Sequence, residues 1–324
     1  MGRKKDNNQR ELPGFQPVSA ALPEAARAAV KRPRRTMRVI QGAVTISEQD
    51  RPDIAYQHSV LCQCAMPLRN PGDDVREWER QQGRVSLLLR AGSAMHPEQE
   101  RLVKVGLPYG PKPRLILAFL NTQAILTDSP VIEVEDSLTR FTDRIGFDKG
   151  GRTIRAVKNQ LTRLSAADFT FGVAREGRSW TSGGRVVSGF ELWFPKDDRQ
   201  RVLWPTSVEL SHEYFASLRQ HAVPLNLEAL GALKESALAL DIYTWLAQRL
   251  WRVHPHEAAF ITWAALKDQF GPDYGRMADF KRKFRQALRD VHAVYPDARI
   301  ELDGRGITLR HSQPPIRRRL ISTR

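Results

Sequence analysis

Cysteine is almost missing from this chain of 324 residues: Cys62 and Cys64 are the only two, both inside the apolar run SVLCQCAM. No second Cys or His group lies nearby in the sequence to complete a zinc site. A C-x-C within a strand sets both thiols on one face, so two reduced, partly buried thiols are expected. Long apolar runs are lacking too, since no stretch approaches the ~20 residues that a membrane span requires. The opening MGRKKDNNQRELPG has no apolar core of the signal-peptide kind. A cytoplasmic protein with no membrane partner is the expectation.

Catalytic signatures are equally sparse. No G-x-x-x-x-G-K-[ST] loop occurs, which excludes ATP-driven motor chemistry of the P-loop type. No acidic cluster suggests a two-metal nuclease. His254-Pro255-His256 has a superficial likeness to the paired metal-binding histidines of rolling-circle nickases. Such enzymes need those histidines on a strand and a nucleophilic Tyr on a nearby helix. Here Pro255 interrupts the pair within a loop, and Tyr243 shares an apolar helical stripe with Leu240 and Ala247, which points to a core role. No enzymatic activity, cofactor or metal is expected.

Positive charge is abundant, and its distribution is uneven. Residues 1–38 hold ten Lys/Arg against three Asp/Glu, residues 276–324 hold thirteen against five, and residues 39–275 hold 28 of each. The net +15 is therefore confined to the two ends, a nucleic-acid signature more than general solubility tuning.

The C-terminal excess has a definite form. In RMADFKRKFRQALRDVHAVYPDARIELDGRGITLRH (276–311), Met277, Phe280, Phe284, Leu288, Val291 and Tyr295 recur three or four apart, which gives one buried helical stripe. Arg276, Lys281, Arg282, Lys283, Arg285 and Arg289 occupy the rest of that helix, with Lys281, Arg285 and Arg289 on one ridge. Strands at 300–302 and 307–310 follow, joined through Asp303-Gly304, a strong hairpin signal. A cationic helix backed by a hairpin is how a winged helix-turn-helix meets double-stranded DNA, with Arg299, Arg305 and Arg310 on the wing. Lys281, Arg282 and Arg285 are expected near bases, Arg276 and Arg289 on the backbone. The alternative is a plain solvated basic face.

The same order of elements appears earlier. PKPRLILAFLNTQAIL is an amphipathic helix opened by proline, and VIEV (131–134) reads as a strand. Ser137 caps a helix that Gly146 ends. A helix over 151–166 buries Ile154, Val157, Leu161 and Leu164, and 168–175 with 186–194 reads as a hairpin with a long polar tip. In the second unit the order is LALDIYTWLAQRLW, AFITW (259–263), a short helix 264–270, the basic helix and its hairpin. Phe141/Leu266, Ile145/Phe270 and Gly146/Gly271 match at a constant offset. In the first unit Arg152, Arg155, Lys158, Asn159 and Arg163 are the candidate DNA contacts. That helix either reads DNA or only touches phosphates while its sheet handles dimerisation.

The expected fold is thus α+β, with two tandem winged-helix domains, a small N-terminal β element from the runs 57–66 and 84–90, and a disordered N-terminal arm. Boundaries fall at 1–50 (arm), 51–224 (first domain, including the β element), 225–311 (second domain) and 312–324 (basic tail), with the joint near 223–227. Lys31-Arg32-Pro33-Arg34-Arg35 reads either as a nuclear-import signal or as a flexible arm touching phosphates.

Several of these runs resemble plasmid-encoded RepA replication initiators. They are GLPYGPKPRLILAFLNTQAI (106–125), DSLTRFTDRIG (136–146), GGRTIRAVKNQLTRL (150–164), ALALDIYTWLAQRL (237–250), ITWAALKDQFG (261–271), FKRKFRQALRDVHAVYPDARIEL (280–302) and the closing Pro314-Pro315. The likeness runs over roughly 45–315; residues 1–45 and the Arg317–Arg319 run lie outside it. It implies a bacterial cytoplasmic protein that binds origin repeats (iterons), opens adjacent AT-rich DNA and recruits the host initiator, helicase and primase. It also implies a switch between a repressing homodimer and an initiating monomer. Two other classes stand beside it: a winged-helix transcriptional repressor, and an origin-nicking enzyme.

Overall fold

A computed structural model of the chain describes residues 34–96, 99–133, 150–190 and 207–316, together with Asp143, Gly146 and Phe147. Helix α1 (Arg34–Glu48), strand β1 (Ile54–His58) and short helix α2 (Ser59–Gln63) lead into hairpins β2 (Glu77–Gln82)–β3 (Val85–Arg90) and β4 (Ser93–His96)–β5 (Arg101–Lys104). Next come α3 (Pro111–Thr127), β6 (Val131–Glu133), α4 (Gly151–Ala166), β7 (Asp168–Arg175), β8 (Arg178–Arg185), β9 (Val187–Phe190) and β10 (Ser207–Leu210). The rest is α5 (His212–His221), β11 (Ala222–Asn226), α6 (Leu227–Leu233), α7 (Ala237–Arg249), β12 (Ala259–Thr262), α8 (Trp263–Phe270), α9 (Met277–Val294), β13 (Ile300–Leu302) and β14 (Gly306–Leu309). The fold is mixed α/β, its strands gathered into small antiparallel sheets ordered β1-β11, β6-β10-β9, β12-β14-β13, β2-β3-β7-β8 and β4-β5.

Helices α3 and α7 form the centre. Both are apolar on nearly every side, as buried helices must be. Pro111 and Pro113 open α3 where a missing N–H costs nothing, and Ser236 caps α7 by accepting from the N–H of Ala239. The two helices are joined by a buried fork. Arg114 donates to both carboxylate oxygens of Asp241 at 2.6 and 2.7 Å, and also to the carbonyls of Met66 and Gly110. Every charge in that fork is answered, the condition under which a buried ion pair is tolerated. On the α7 side, Trp245, Phe270, Phe284, Phe280 and Trp263 form a chain of edge and tilted ring contacts that seats α8 and α9.

Five expectations change here. Residues 34–48, expected within the disordered arm, form α1, because Val39 and Gly42 bury against the body and Arg35 pairs with Asp290; the rest of that expected arm, residues 1–33, lies outside the described residues. Cys62 lies in a helix and Cys64 just beyond its end. Burial pushes both thiols up, Cys64 to about 12, so both stay protonated. The 84–90 run is β3, which pairs with β7 in register and so leaves no separate N-terminal β element. The hairpin foreseen between 168–175 and 186–194 does not form. Strand β7 turns through Glu176-Gly177 into β8, whose residues were read as a loop tip, and β9 joins β10 instead. The joint expected at 223–227 lies in β11, paired with β1 over five residues, Ile54↔Asn226 to His58↔Ala222. The helix expected from Ser137 lies outside the described residues.

Candidate nucleic-acid interface

Helix α9 begins after Arg276 and buries Phe280, Phe284, Ala287, Leu288, Val291 and Val294. The opposite face stays in solvent. Arg282, Lys283, Arg285 and Arg289 are exposed, and Lys281 is half-buried. Acidic groups answer little of this charge. Asp279 accepts from Arg276 at 2.8 Å and from Arg282 at 3.4 Å, and those bonds hold its carboxyl below the usual carboxylate range. Arg289 donates to the neutral Gln286 at 2.7 Å. The outward face of α9 therefore remains strongly positive.

Trp263 sets the geometry between this helix and the hairpin. It is buried at the start of α8, where Thr262 caps the helix by accepting from the N–H of Ala265. Lys281 Nζ and the Arg285 guanidinium each lie 5.2 Å from the Trp263 ring centroid. The indole Nε1–H donates to the carbonyl of Asp303 at 3.1 Å, and the Trp263 backbone N–H donates to the carbonyl of Arg305 at 3.1 Å. Lys281 Nζ also reaches the carbonyl of Gly304 at 3.4 Å. One aromatic side chain thus touches both the cationic ridge and the hairpin turn.

The turn is internally braced. Asp303 Oδ1 accepts from the backbone N–H groups of Arg305 and Gly306 at 2.7 and 2.8 Å, which lowers its carboxyl. Gly306 has no room for a side chain, since a Cβ there would sit 2.0 Å from the carbonyl oxygen of Ile261. Arg305 lies 5.6 Å from the ring of exposed Phe260, and Arg299 is exposed. Arg310 is held by Glu301 at 2.9 Å across the β13–β14 pair. Such a fully solvated pair is weak, so exchanging Glu301 for a phosphate costs little.

The first-unit candidates divide. Arg152 and Arg155 are exposed, Lys158 is half-buried, and Asn159 is exposed. Arg163 is not a surface contact. It is buried, donating to Asn159 Oδ1 at 2.8 Å and to the carbonyl of Leu107 at 3.3 Å, with Asp73 at 2.8 Å. The reason is non-local: the 105–109 segment covers the last turns of α4, where Tyr109 N–H also bonds Gln160 Oε1. Gly106 marks the crossing, because a Cβ there would meet the Arg163 guanidinium at 2.3 Å. The same contact occupies Asn159. Trp263 had no signal in the sequence beyond being an aromatic at a helix start, and the basic run that includes Arg35 gave no sign of its pairing with Asp290.

Tyr243 is fully buried, its hydroxyl accepting from the N–H of Asn226 at 2.9 Å, and burial pushes its pKa up. It is no accessible nucleophile. His254 and His256 are exposed, with ring centroids 5.8 Å apart. Among the described residues, no group of three or more His, Cys, Asp or Glu is arranged to hold a metal, and no helix is long and apolar enough to cross a membrane.

Residues 107–265 match the family model described as plasmid-encoded RepA protein. The match runs from the start of α3 into α8 and ends before α9. A crystal structure of domains 2 and 3 of RctB shares the fold with a TM-score of 0.50 at 11% identity, over 78% of this chain and 98% of that one. A second structure of RctB domains 2–3 aligns with a TM-score of 0.47 at 12% identity, over 77% and 94%. No curated protein matches the chain significantly.

Proposed function

Because residues 107–265 match the family model of plasmid-encoded RepA proteins, we propose that this chain is a replication initiator that binds iterons at a plasmid origin. Its two units act as tandem winged-helix modules, and it has no catalytic step of its own. The observation that carries this reading is the cationic ridge of α9, locked to the β13–β14 hairpin through Trp263. From Lys281 to Arg289 the ridge rises about 12 Å along the helix axis. A helix about 10–12 Å across with its side chains fits a major groove about 12 Å wide. Arg282 and Arg285 suit bidentate bonds to guanine O6 and N7, while Lys281 and Lys283 suit phosphates. The hairpin arginines then meet the flanking backbone.

Binding at several sites bends or opens the adjacent duplex, and the complex recruits host initiator, helicase and primase in the bacterial cytoplasm. A homodimer formed through the first unit competes with this active form. Buried Tyr243 supports the non-catalytic reading against a phosphotyrosyl mechanism.

Footprinting on DNA beside the coding region tests the proposal. Cooperative protection of direct repeats of about 20 base pairs, two helical turns, is expected. With ~6–10 phosphate contacts, affinity should fall about 10³–10⁵-fold between about 50 and 200 mM salt. Protection of one palindrome without unwinding would assign the chain to a repressor instead. A covalent 5′-phosphotyrosyl adduct on supercoiled DNA would overturn both.

A further inference from the structure

Helix α9 has two flanks, and the hairpin occupies only one. Lys281, which reaches Gly304 and Trp263, lies nine residues before Asp290. At about 100° per residue, nine residues turn the helix two and a half times, so Asp290 faces the opposite side. There Arg35 Nη2 meets Asp290 Oδ2 at 2.5 Å, which fixes the start of α1 against the second flank. Two further contacts hold α1 along its length. Arg38 pairs with Glu235 at 2.5 Å, and Gly42 lies so close to α6 that a Cβ would stand 2.6 Å from that of Ala232.

We infer that the start of α1 and the adjacent side of α9 form a second cationic flank, which binds duplex phosphates on the side of the site away from the hairpin. Arg34, Arg35 and Lys283 make up this flank. Arg34 and Lys283 are exposed, and Arg35 keeps 37% of its side chain in solvent. Lys283 stands two turns before Asp290 on the same side of α9. Arg282 projects between the two flanks, about 100° from Lys281 and 80° from Asp290. A duplex seated on Arg282 therefore has backbone on both sides, with the hairpin at one and α1 at the other. Charge favours this occupant over an acidic protein: the flank continues the ridge itself, and residues 1–38 carry ten Lys/Arg against three Asp/Glu.

The inference rests on the DNA-binding reading of α9, and its test keeps the two apart. The full-length chain first selects a duplex from a random pool. If it selects none, the reading of α9 fails. On the selected duplex, the double variant Arg34→Gln/Lys283→Gln is compared with the unaltered chain. Both side chains are exposed, so folding is not at stake. The log–log salt slope should become shallower by about 0.9 per lost phosphate, roughly 2 in all, with the selected motif unchanged. Hydroxyl-radical protection should disappear on one side only. An iron chelate tethered at Gly304→Cys marks the hairpin side, and buried Cys62 and Cys64 are out of its reach. Loss on the unmarked side supports the inference. An unchanged slope, or loss on the marked side, overturns it.

Discussion

Helices α4 and α9 carry four and five Lys/Arg residues, and the fold uses them differently. In α9 the apolar stripe faces an aromatic cluster, and the exposed arginines and lysines project away from it. In α4 only the first turns are open. Arg152, Asn159 and Arg163 fall within about 40° of one another around the helix, yet Arg163 is closed in by Leu107, Asn159 and Asp73. An arginine on a polar stripe becomes structural when carbonyls from a distant segment reach it. Its periodicity does not change.

Substitutions probe this division. The largest effect should come from Asp241→Ala, which strands Arg114 in the joint between α3 and α7. About 3–5 kcal/mol of stability should be lost, seen as a lower denaturation midpoint. A wild-type midpoint would mean the joint bears no load. Next, Arg163→Ala should cost about 1–3 kcal/mol of folding stability while leaving the salt slope of DNA binding untouched. A shallower slope with normal stability would return Arg163 to the interface. Arg285→Ala should do the reverse: stability holds, and binding to the preferred sequence weakens by about 1–3 kcal/mol with relaxed specificity. If the loss is uniform across sequences with a slope smaller by ~1, Arg285 is a phosphate contact. The smallest effect belongs to Arg152→Ala, a slope change of ~1 or less without altered sequence preference.

Periodicity made much of this visible in the sequence. The stripe from Met277 to Val291 placed α9, Asp303-Gly304 placed the β13–β14 turn, and Pro111 placed the start of α3. What stayed hidden depends on partners far along the chain. Helix α1 has only Val39 and Gly42 fully buried, too few to stand out from the basic run around them, and its docking uses α6 and α9. Strand β8 (RSWTSGGR) is exposed at nearly every position, so it has no apolar alternation, and only its ladder to β7 makes it a strand. For the candidate site, which residues are basic was legible. Which of them the fold closes over was not, and neither was the bridge through Trp263.

On the proposed reading, α9 should recognise sequence and α4 should not. Selection from a random duplex pool tests it in one experiment, using the unaltered chain, Arg282→Ala/Arg285→Ala and Arg152→Ala/Arg155→Ala. The α9 pair should yield a degraded or different motif, and the α4 pair the original motif at uniformly lower affinity. A motif that survives the α9 changes and is lost with the α4 changes would contradict it.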